Sequence, residues 1–226
     1  MKTILIRPAM IGDIAAILNI KQNAWPDVPV SATQLGHVLN HPHHTTLVAE
    51  RHGTLVGFLD SFLTTHAGIA RWELDLLAVS PTARRLGIGR ALLAASLDIG
   101  WQQGATLARG LIHHQNQPSQ ALFQQLNFTP AGSLAQLWIK TAPPWPHFPP
   151  WVRQLPVDTI NYHGLWLEGP LDGPKTTPII TNPRPFDLLG TVLPLNNTAA
   201  ETFLTKAGFT SFGHYQWWSR PHPNSS

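Results

Sequence analysis

Apolar and polar positions along the first two thirds of the chain predict a regular alternation of strands and helices. Residues 2–7 read as a strand. Ile14, Ile17, Leu18 and Ala24 then recur at helical spacing behind Asp13, a suitable N-cap. Ser31 opens a second short helix that runs to about Leu39. Residues 46–50 and 54–63, separated by His52-Gly53, read as a hairpin. Residues 71–79 form the next strand. Its apolar run Leu74, Leu76, Leu77, Ala78 and Val79 is broken only by Asp75 and is stopped by Ser80-Pro81, because proline cannot donate to a ladder. A helix follows from Arg90 with apolar Ala91, Leu92, Ala95 and Ile99. Residues 105–112 are a strand, 119 to about 126 a helix, and 134–140 a closing strand.

The loop between the strand at 71–79 and the helix at 90 carries the first chemical signal. It reads Ala83-Arg84-Arg85-Leu86-Gly87-Ile88-Gly89. The first amides of a helix lack internal partners and point outward, where the helix dipole adds positive charge. Gly87 and Gly89 clear side chains so that a phosphate can reach the backbone, and Arg84, Arg85 and Arg90 add formal charge. A dinucleotide fingerprint is excluded by the missing third glycine. A nucleoside-triphosphate loop is excluded by the missing Gly-Lys-Ser/Thr.

Arg84-x-x-Gly87-x-Gly89 after a strand ending Ala78-Val79-Ser80-Pro81 resembles the acyl-CoA signature of the GNAT superfamily of N-acyltransferases. The pattern Asn116, Ala121, Leu122, Phe123, Leu126, Phe128 is similar to that family's second motif. The resemblance implies an α/β (α+β) fold with a mixed, mostly antiparallel sheet flanked by helices. It also implies a wedge where the fourth, bulged strand splays from the fifth. Acetyl-CoA would be the co-substrate. Its diphosphate would lie on the loop of Arg84, Arg85, Leu86, Gly87, Ile88, Gly89 and Arg90, and its pantetheine arm along Leu77, Ala78 and Val79 like an added strand, beside Asn116 and Phe123. The first two helices and their loop, with Trp25, would wall the acceptor site, although core packing explains Trp25 equally well.

Composition narrows the classes. The 226 residues are 43% hydrophobic and 12% charged, which describes a globular chain. The formal charge of +3 has no long basic run, which favours an anionic cofactor over nucleic acid. Cysteine is absent, so thiolate nucleophiles, disulfides and Cys-based zinc sites are excluded. His41-Pro42-His43-His44 invites a metal reading, but the proline breaks any common helix face, and a solvated loop with no metal is expected. With no apolar run near membrane length and no signal peptide, a cytoplasmic location without membrane partners is the expectation.

The remainder is proline-dense at residues 143–150, read as a semi-rigid linker. Beyond it, a shift of about 81 positions superposes Asn116 on Asn197, Leu122 on Phe203, Phe128 on Phe209 and Gly132 on Gly213. The strand 107–112 falls on 188–193 under the same shift. Three parts are therefore expected: a GNAT acetyltransferase domain over 1–141, the linker at 142–150, and a degenerate GNAT-like half domain over 151–226 with no second Arg-x-x-Gly-x-Gly. The half domain could cover the acceptor mouth, extend the sheet or serve as a homodimer surface.

Acyl transfer from a thioester to an amine needs a base, polarisation of the carbonyl, and departure of the sulfur. Glu73 stands where some family members keep a catalytic glutamate, and Asp75 shares its face if the strand is regular. Two neighbouring carboxylates raise one pKa, bind a cationic acceptor, or form salt bridges to Arg71 or Arg109. His113 and His114 are alternative bases. Family members often carry a tyrosine acid where this chain has Phe123, and both tyrosines, Tyr162 and Tyr215, lie in the second part. The leading expectation is an N-acetyltransferase acting on a small-molecule or peptide amine by direct attack in a ternary complex. The alternatives are a non-catalytic acyl-CoA sensor or scaffold, and a plain interaction module.

Overall fold

The computed structural model describes residues 4–28, 31–146, 148, 152–169 and 187–224. Met1 to Thr3, part of the proline-dense stretch and residues 170–186 fall outside them. The strands are β1 (Leu5–Pro8), β2 (His44–Arg51), β3 (Thr54–His66), β4 (Ile69–Val79), β5 (Leu107–His113), β6 (Thr129–Lys140), β7 (Arg153–Asp158), β8 (His163–Glu168), β9 (Leu188–Pro194) and β10 (Thr210–Pro221). The helices are α1 (Ile14–Ala24), α2 (Ala32–Leu39), α3 (Ile88–Gln102), α4 (Gln117–Gln125) and α5 (Thr198–Lys206). All ten strands join one sheet in the order β1-β2-β3-β4-β5-β10-β6-β9-β8-β7. Among the described residues, no helix is long and apolar enough to cross a membrane.

Alternation along the strands sends successive side chains to two cores. Val48, Phe58 and Ala78 meet Ile17 and Ile20 of α1 and Leu35 and Val38 of α2 on one face. Leu47, Leu59, Trp72 and Leu74 meet Ile88, Leu92, Leu93 and Leu97 of α3 and Phe123 of α4 on the other. Trp72 lies so close under α3 that a Cβ on Gly100 would stand 2.5 Å from its ring, so only glycine fits there. The Trp72 indole N–H donates to Ser96 Oγ at 2.8 Å. A third cluster holds Leu165 and Leu167 of β8, Leu189 and Leu193 of β9, and Ala200 and Leu204 of α5.

Two features of the sheet position the site. β4 is antiparallel to β3 along its length, but its parallel pairing with β5 covers only Arg71, Trp72 and Glu73 opposite Leu107, Ala108 and Arg109. Beyond Glu73 the two strands part, and this is the expected wedge. β4 also bulges. Asp60 opposes Leu76 and Ser61 opposes Leu74, which leaves Asp75 as the extra residue. The regular alternation used to place Asp75 beside Glu73 is therefore interrupted at Asp75 itself.

The second feature is not local. The strand ending in Lys140, expected to close the sheet beside β5, pairs instead with β9 and β10. β10, from the far end of the chain, takes the place beside β5, with Tyr215 opposite His113 and Trp217 opposite Leu111. In mirror fashion, β6 supplies the antiparallel neighbour of β9. Each half thus lends its last strand to the other. The repeat is visible in the backbone as well. Asn116 Oδ1 accepts from Ser119 N and Asn197 Oδ1 from Ala200 N, each at 3.2 Å, so the two asparagines cap α4 and α5 alike. Asn127 and Gly208 are both left-handed, as are Gly132 and Gly213.

Candidate active site

The turn into α3 is built as an anion cradle. A single 3-10 turn over Pro81–Ala83 brings the chain out of β4, Arg85 adopts φ 62°, and Gly87 is the left-handed N-cap of α3 at φ 77°. Nothing lies within 4 Å of a Cβ built on Gly87, so the space in front of the helix is open. Arg84, Arg85, Leu86, Gly87 and Arg90 are exposed, while Ile88 is buried and anchors the helix to the core. Arg84 Nε donates to Val79 O at 3.3 Å, which ties the basic loop to the end of β4. Among the described residues, none supplies an acceptor to the backbone N–H of Arg85, Leu86 or Gly87. Gly89 faces Leu77, Val79 and Leu122, the last only 3.3 Å from where a Cβ would stand.

The wedge opens into a cavity of about 400 Å³. Glu73 to Leu77 of β4, Arg109 to His113 of β5, and Asn116, Ser119 and Phe123 around α4 line one part of it. Trp25 from the loop after α1 lines it too. The rest of the wall comes from the C-terminal half, through Tyr162, Trp166, Tyr215 and Trp217 among others. Leu77, Asn116 and Phe123 thus share one cavity with Glu73 and Asp75. Ala78 is buried in the α1/α2 core, and the residues of the anion cradle lie outside the lining described.

The two carboxylates differ sharply. Glu73 is 7% exposed and both its oxygens are engaged. Arg109 Nε donates to them at 2.8 and 3.0 Å, and Thr64 Oγ1 donates at 2.7 Å. Arg71 Nε stands 3.3 Å away. Glu168 of β8 closes the network, accepting from Arg109 Nη2 at 2.6 Å and Arg71 Nη1 at 2.9 Å. Burial opposes the charge on Arg109, but Glu73 and Glu168 outweigh it and raise its pKa. Burial likewise opposes the Glu168 carboxylate, and the two arginines overcome it and hold the pKa down. Salt bridging to Arg71 and Arg109 was one of the sequence alternatives for Glu73.

Asp75 has no such partner. Among the described residues, no side chain donates to its carboxylate. Its side chain is exposed, on the side that lines the cavity, although protein surrounds that cavity. Desolvation, and then the charges of Asp60 and Glu73, push its pKa up to about 8.

The other candidates fall as follows. His113 lines the cavity, and burial followed by its neighbours His114 and His214 lowers its pKa. His44, expected in a solvated loop, instead opens β2 with its ring stacked on Phe62 at 4.8 Å. The hydrophobic pattern hid this placement because histidine reads as polar. Phe123 is 6% exposed, packs on Phe128 at 4.6 Å and covers Gly110. Both tyrosines sit in the cavity wall, which no local pattern reveals, since their position depends on strands paired across the whole chain.

The sequence model of the acetyltransferase (GNAT) family matches residues 14–128. The chain belongs to the GNAT acetyltransferase family. The match runs from α1 to the end of α4, so it contains both the anion cradle and the wedge. Among curated proteins, L-2,4-diaminobutyric acid acetyltransferase of Nocardia farcinica (strain IFM 10152) is 35% identical over 124 residues, which is 54% of this chain and 62% of that protein. Among solved structures, the ribosomal-protein-alanine N-acetyltransferase of Brucella melitensis superposes with a TM-score of 0.53 at 28% identity, over 58% of this chain and 88% of that one. An aminoglycoside N-acetyltransferase in complex with CoA superposes with a TM-score of 0.53 at 21% identity, over 57% of this chain and 90% of that one, a likeness of fold alone. In each comparison more than 40% of this GNAT chain is left unmatched.

Proposed function

We propose that the chain transfers an acetyl group from acetyl-CoA to the primary amine of a small molecule in a ternary complex, with Asp75 as the general base. The observation that carries the reading is the unpartnered carboxylate on the β4 bulge, facing a cavity at the mouth of the β4/β5 wedge. When bound, acetyl-CoA supplies an acyl group already activated as a thioester. The residues fit it. The open amides of Leu86 to Gly89, with Arg84, Arg85 and Arg90, would hold a diphosphate. The β4 backbone at Leu77 to Val79 has lost its β5 partner and would hold the pantetheine amides, with Asn116 alongside.

Asp75 accepts a proton from the acceptor ammonium and leaves a neutral amine to attack. A raised pKa suits this work, because a base is most effective near the operating pH. A free N–H of β4 beside the wedge polarises the acyl oxygen. Phe123 donates no proton, and a thiol of ordinary acidity is a workable leaving group without one. Glu73, with both oxygens engaged, orients Arg109 and the floor of the wedge, so the base role passes to Asp75. The C-terminal half closes the acceptor mouth and carries no second cofactor site. Homodimerisation and a cytoplasmic setting belong to the same reading as open expectations.

The test is turnover of acetyl-CoA with a panel of amines. Asp75→Asn should lower kcat by about 10²–10⁴-fold, with the affinity for CoA unchanged. Wild-type kcat/KM should climb as pH rises towards about 8, where Asp75 loses its proton, and the variant should lack that limb. Full activity in Asp75→Asn, with loss in Glu73→Gln, would move the base to Glu73. The buried Phe123 favours one second reading, an acyl-CoA sensor. Normal acetyl-CoA binding without turnover of any amine would support it.

A further inference from the structure

Strand exchange does more than complete the sheet. Residues on β5 that face the acceptor side of the wedge are Arg109, Leu111 and His113, since Ala108, Gly110 and Ile112 turn to the α3/α4 side. β10 lies directly alongside, so Tyr215 and Trp217, opposite His113 and Leu111, share the acceptor face. Trp218, opposite Gly110, goes to the other core. Trp166 of β8 meets Trp217 edge to face, with centroids 6.3 Å apart. Tyr162, just before β8, lies within electrostatic reach of Asp75, whose charge raises the Tyr162 pKa after burial has done so.

The charges in this cavity do not balance. With Tyr162 and Tyr215 held neutral by their raised pKa, the groups of its lining that can carry charge are, among the described residues, Glu73, Asp75, Arg109 and His113. Arg109 is the one fixed cation and it is fully committed. It holds Glu73 and Glu168, and its guanidinium carbon lies 4.0 Å over the Trp217 ring. His113 is disfavoured as a cation by burial and by two neighbouring histidines. What remains without a compensating cation, once it is ionised, is Asp75, whose cavity is also lined by Tyr162, Trp166, Tyr215 and Trp217.

A carboxylate together with tryptophan and tyrosine faces stabilises an ammonium by Coulomb attraction and by the ring quadrupoles. The same surroundings repel an anion. We infer that the C-terminal half is the specificity wall of the acceptor pocket, and that Tyr162, Trp166, Tyr215 and Trp217 with Asp75 select a small cationic amine that lacks a carboxylate. This deepens the reading above and rests on it for the position of the acceptor. It parts from the named substrate of the diaminobutyric acid acetyltransferase, which carries a carboxylate next to its amines.

The experiment compares two probes that differ only in that group, 1,3-diaminopropane and L-2,4-diaminobutyrate. Calorimetry on the full chain saturated with CoA gives their affinities, and acetyl transfer is measured in parallel. Propane-1,3-diamine should bind at least ten-fold more tightly, a gap on the order of 1.4 kcal/mol. Tyr215→Ala should cut that affinity by about three- to ten-fold and leave CoA binding unchanged, in keeping with the loss of one cation–π face. Trp166→Leu gives the same readout should Tyr215→Ala fail to fold. Equal or tighter binding of the diaminobutyrate overturns the inference, as do C-terminal variants that leave amine affinity untouched. The two failures are separable. Diamine binding without transfer removes the catalytic reading and keeps the pocket assignment. Transfer to carboxylated acceptors does the reverse.

Discussion

The two halves use one scaffold to different ends. Each has a parallel step between a hairpin strand and the next strand, β4 to β5 and β8 to β9. Each follows with an asparagine-capped helix, a left-handed residue and a strand carrying a left-handed glycine. The N-terminal half leaves its wedge open and builds a basic two-glycine turn onto it. In the C-terminal half the parallel step is equally short, Gly164 to Trp166 opposite Leu188 to Gly190, and large rings pack against its glycines. Trp166 lies 2.8 Å from where a Cβ on Gly190 would stand, and Tyr162 lies 3.0 Å from one on Gly164. The backbone design recurs among the described residues, while the sequence over 151–226 holds no second Arg-x-x-Gly-x-Gly. Tyr162 and Trp166 also line the cavity at the first wedge.

The largest break in this comparison is physical removal. Truncation after Ala142 takes away β10 and strips β5 of its outer neighbour over seven residue pairs. It also leaves Arg109 and Arg71 without Glu168. An exposed apolar edge and two buried, half-paired guanidiniums predict insoluble or unfolded protein rather than a smaller enzyme. Far-UV circular dichroism and size-exclusion chromatography of the fragment check this, and a folded, active 1–142 fragment would show that the halves are independent. A smaller break cuts only the ionic joint. Glu168→Gln should lower stability by roughly 1–3 kcal/mol in denaturant titrations at neutral pH, because it leaves the arginines under-compensated in a partly buried site. The Glu168 pKa is depressed on folding. Its contribution is therefore complete above the ordinary carboxylate range and vanishes as pH falls through the lowered value. The gap between variant and wild type should close in strong acid.

Much of the N-terminal half was legible in the sequence because its signals are short-range. The proline after Val79, the two glycines and the amphipathic helix from Arg90 specify a strand, an open turn and a helix within twenty residues. Ser31 caps α2 through Gln34 N at 3.1 Å, as its position implied. Asp13 marks the start of α1, but its carboxylate accepts from Arg7 at 2.7 Å and from the Met10 backbone N–H at 2.8 Å rather than capping α1. The repeat of about 81 positions was legible too, through Asn116 and Asn197 and the paired glycines. The exchange of last strands was not. β6 and β10 carry equivalent patterns, and pattern alone does not say which of two like strands pairs with β5. For that reason Tyr215 and Trp217 read as remote from the chemistry, although they stand in its wall. The bulge at Asp75 was hidden for a related reason: one extra residue in β4 shows only against the register of β3.

The account rests on one cofactor site per chain, at the turn into α3. Calorimetric titration of CoA into wild type and Gly87→Asp tests it most directly, with Gly87→Ala as the control for strain at a left-handed residue. The account predicts one CoA bound per wild-type chain, near-normal binding in Gly87→Ala, and at least a hundred-fold loss in Gly87→Asp, where a carboxylate meets the diphosphate. Two CoA molecules per chain, or wild-type affinity in Gly87→Asp, would contradict it.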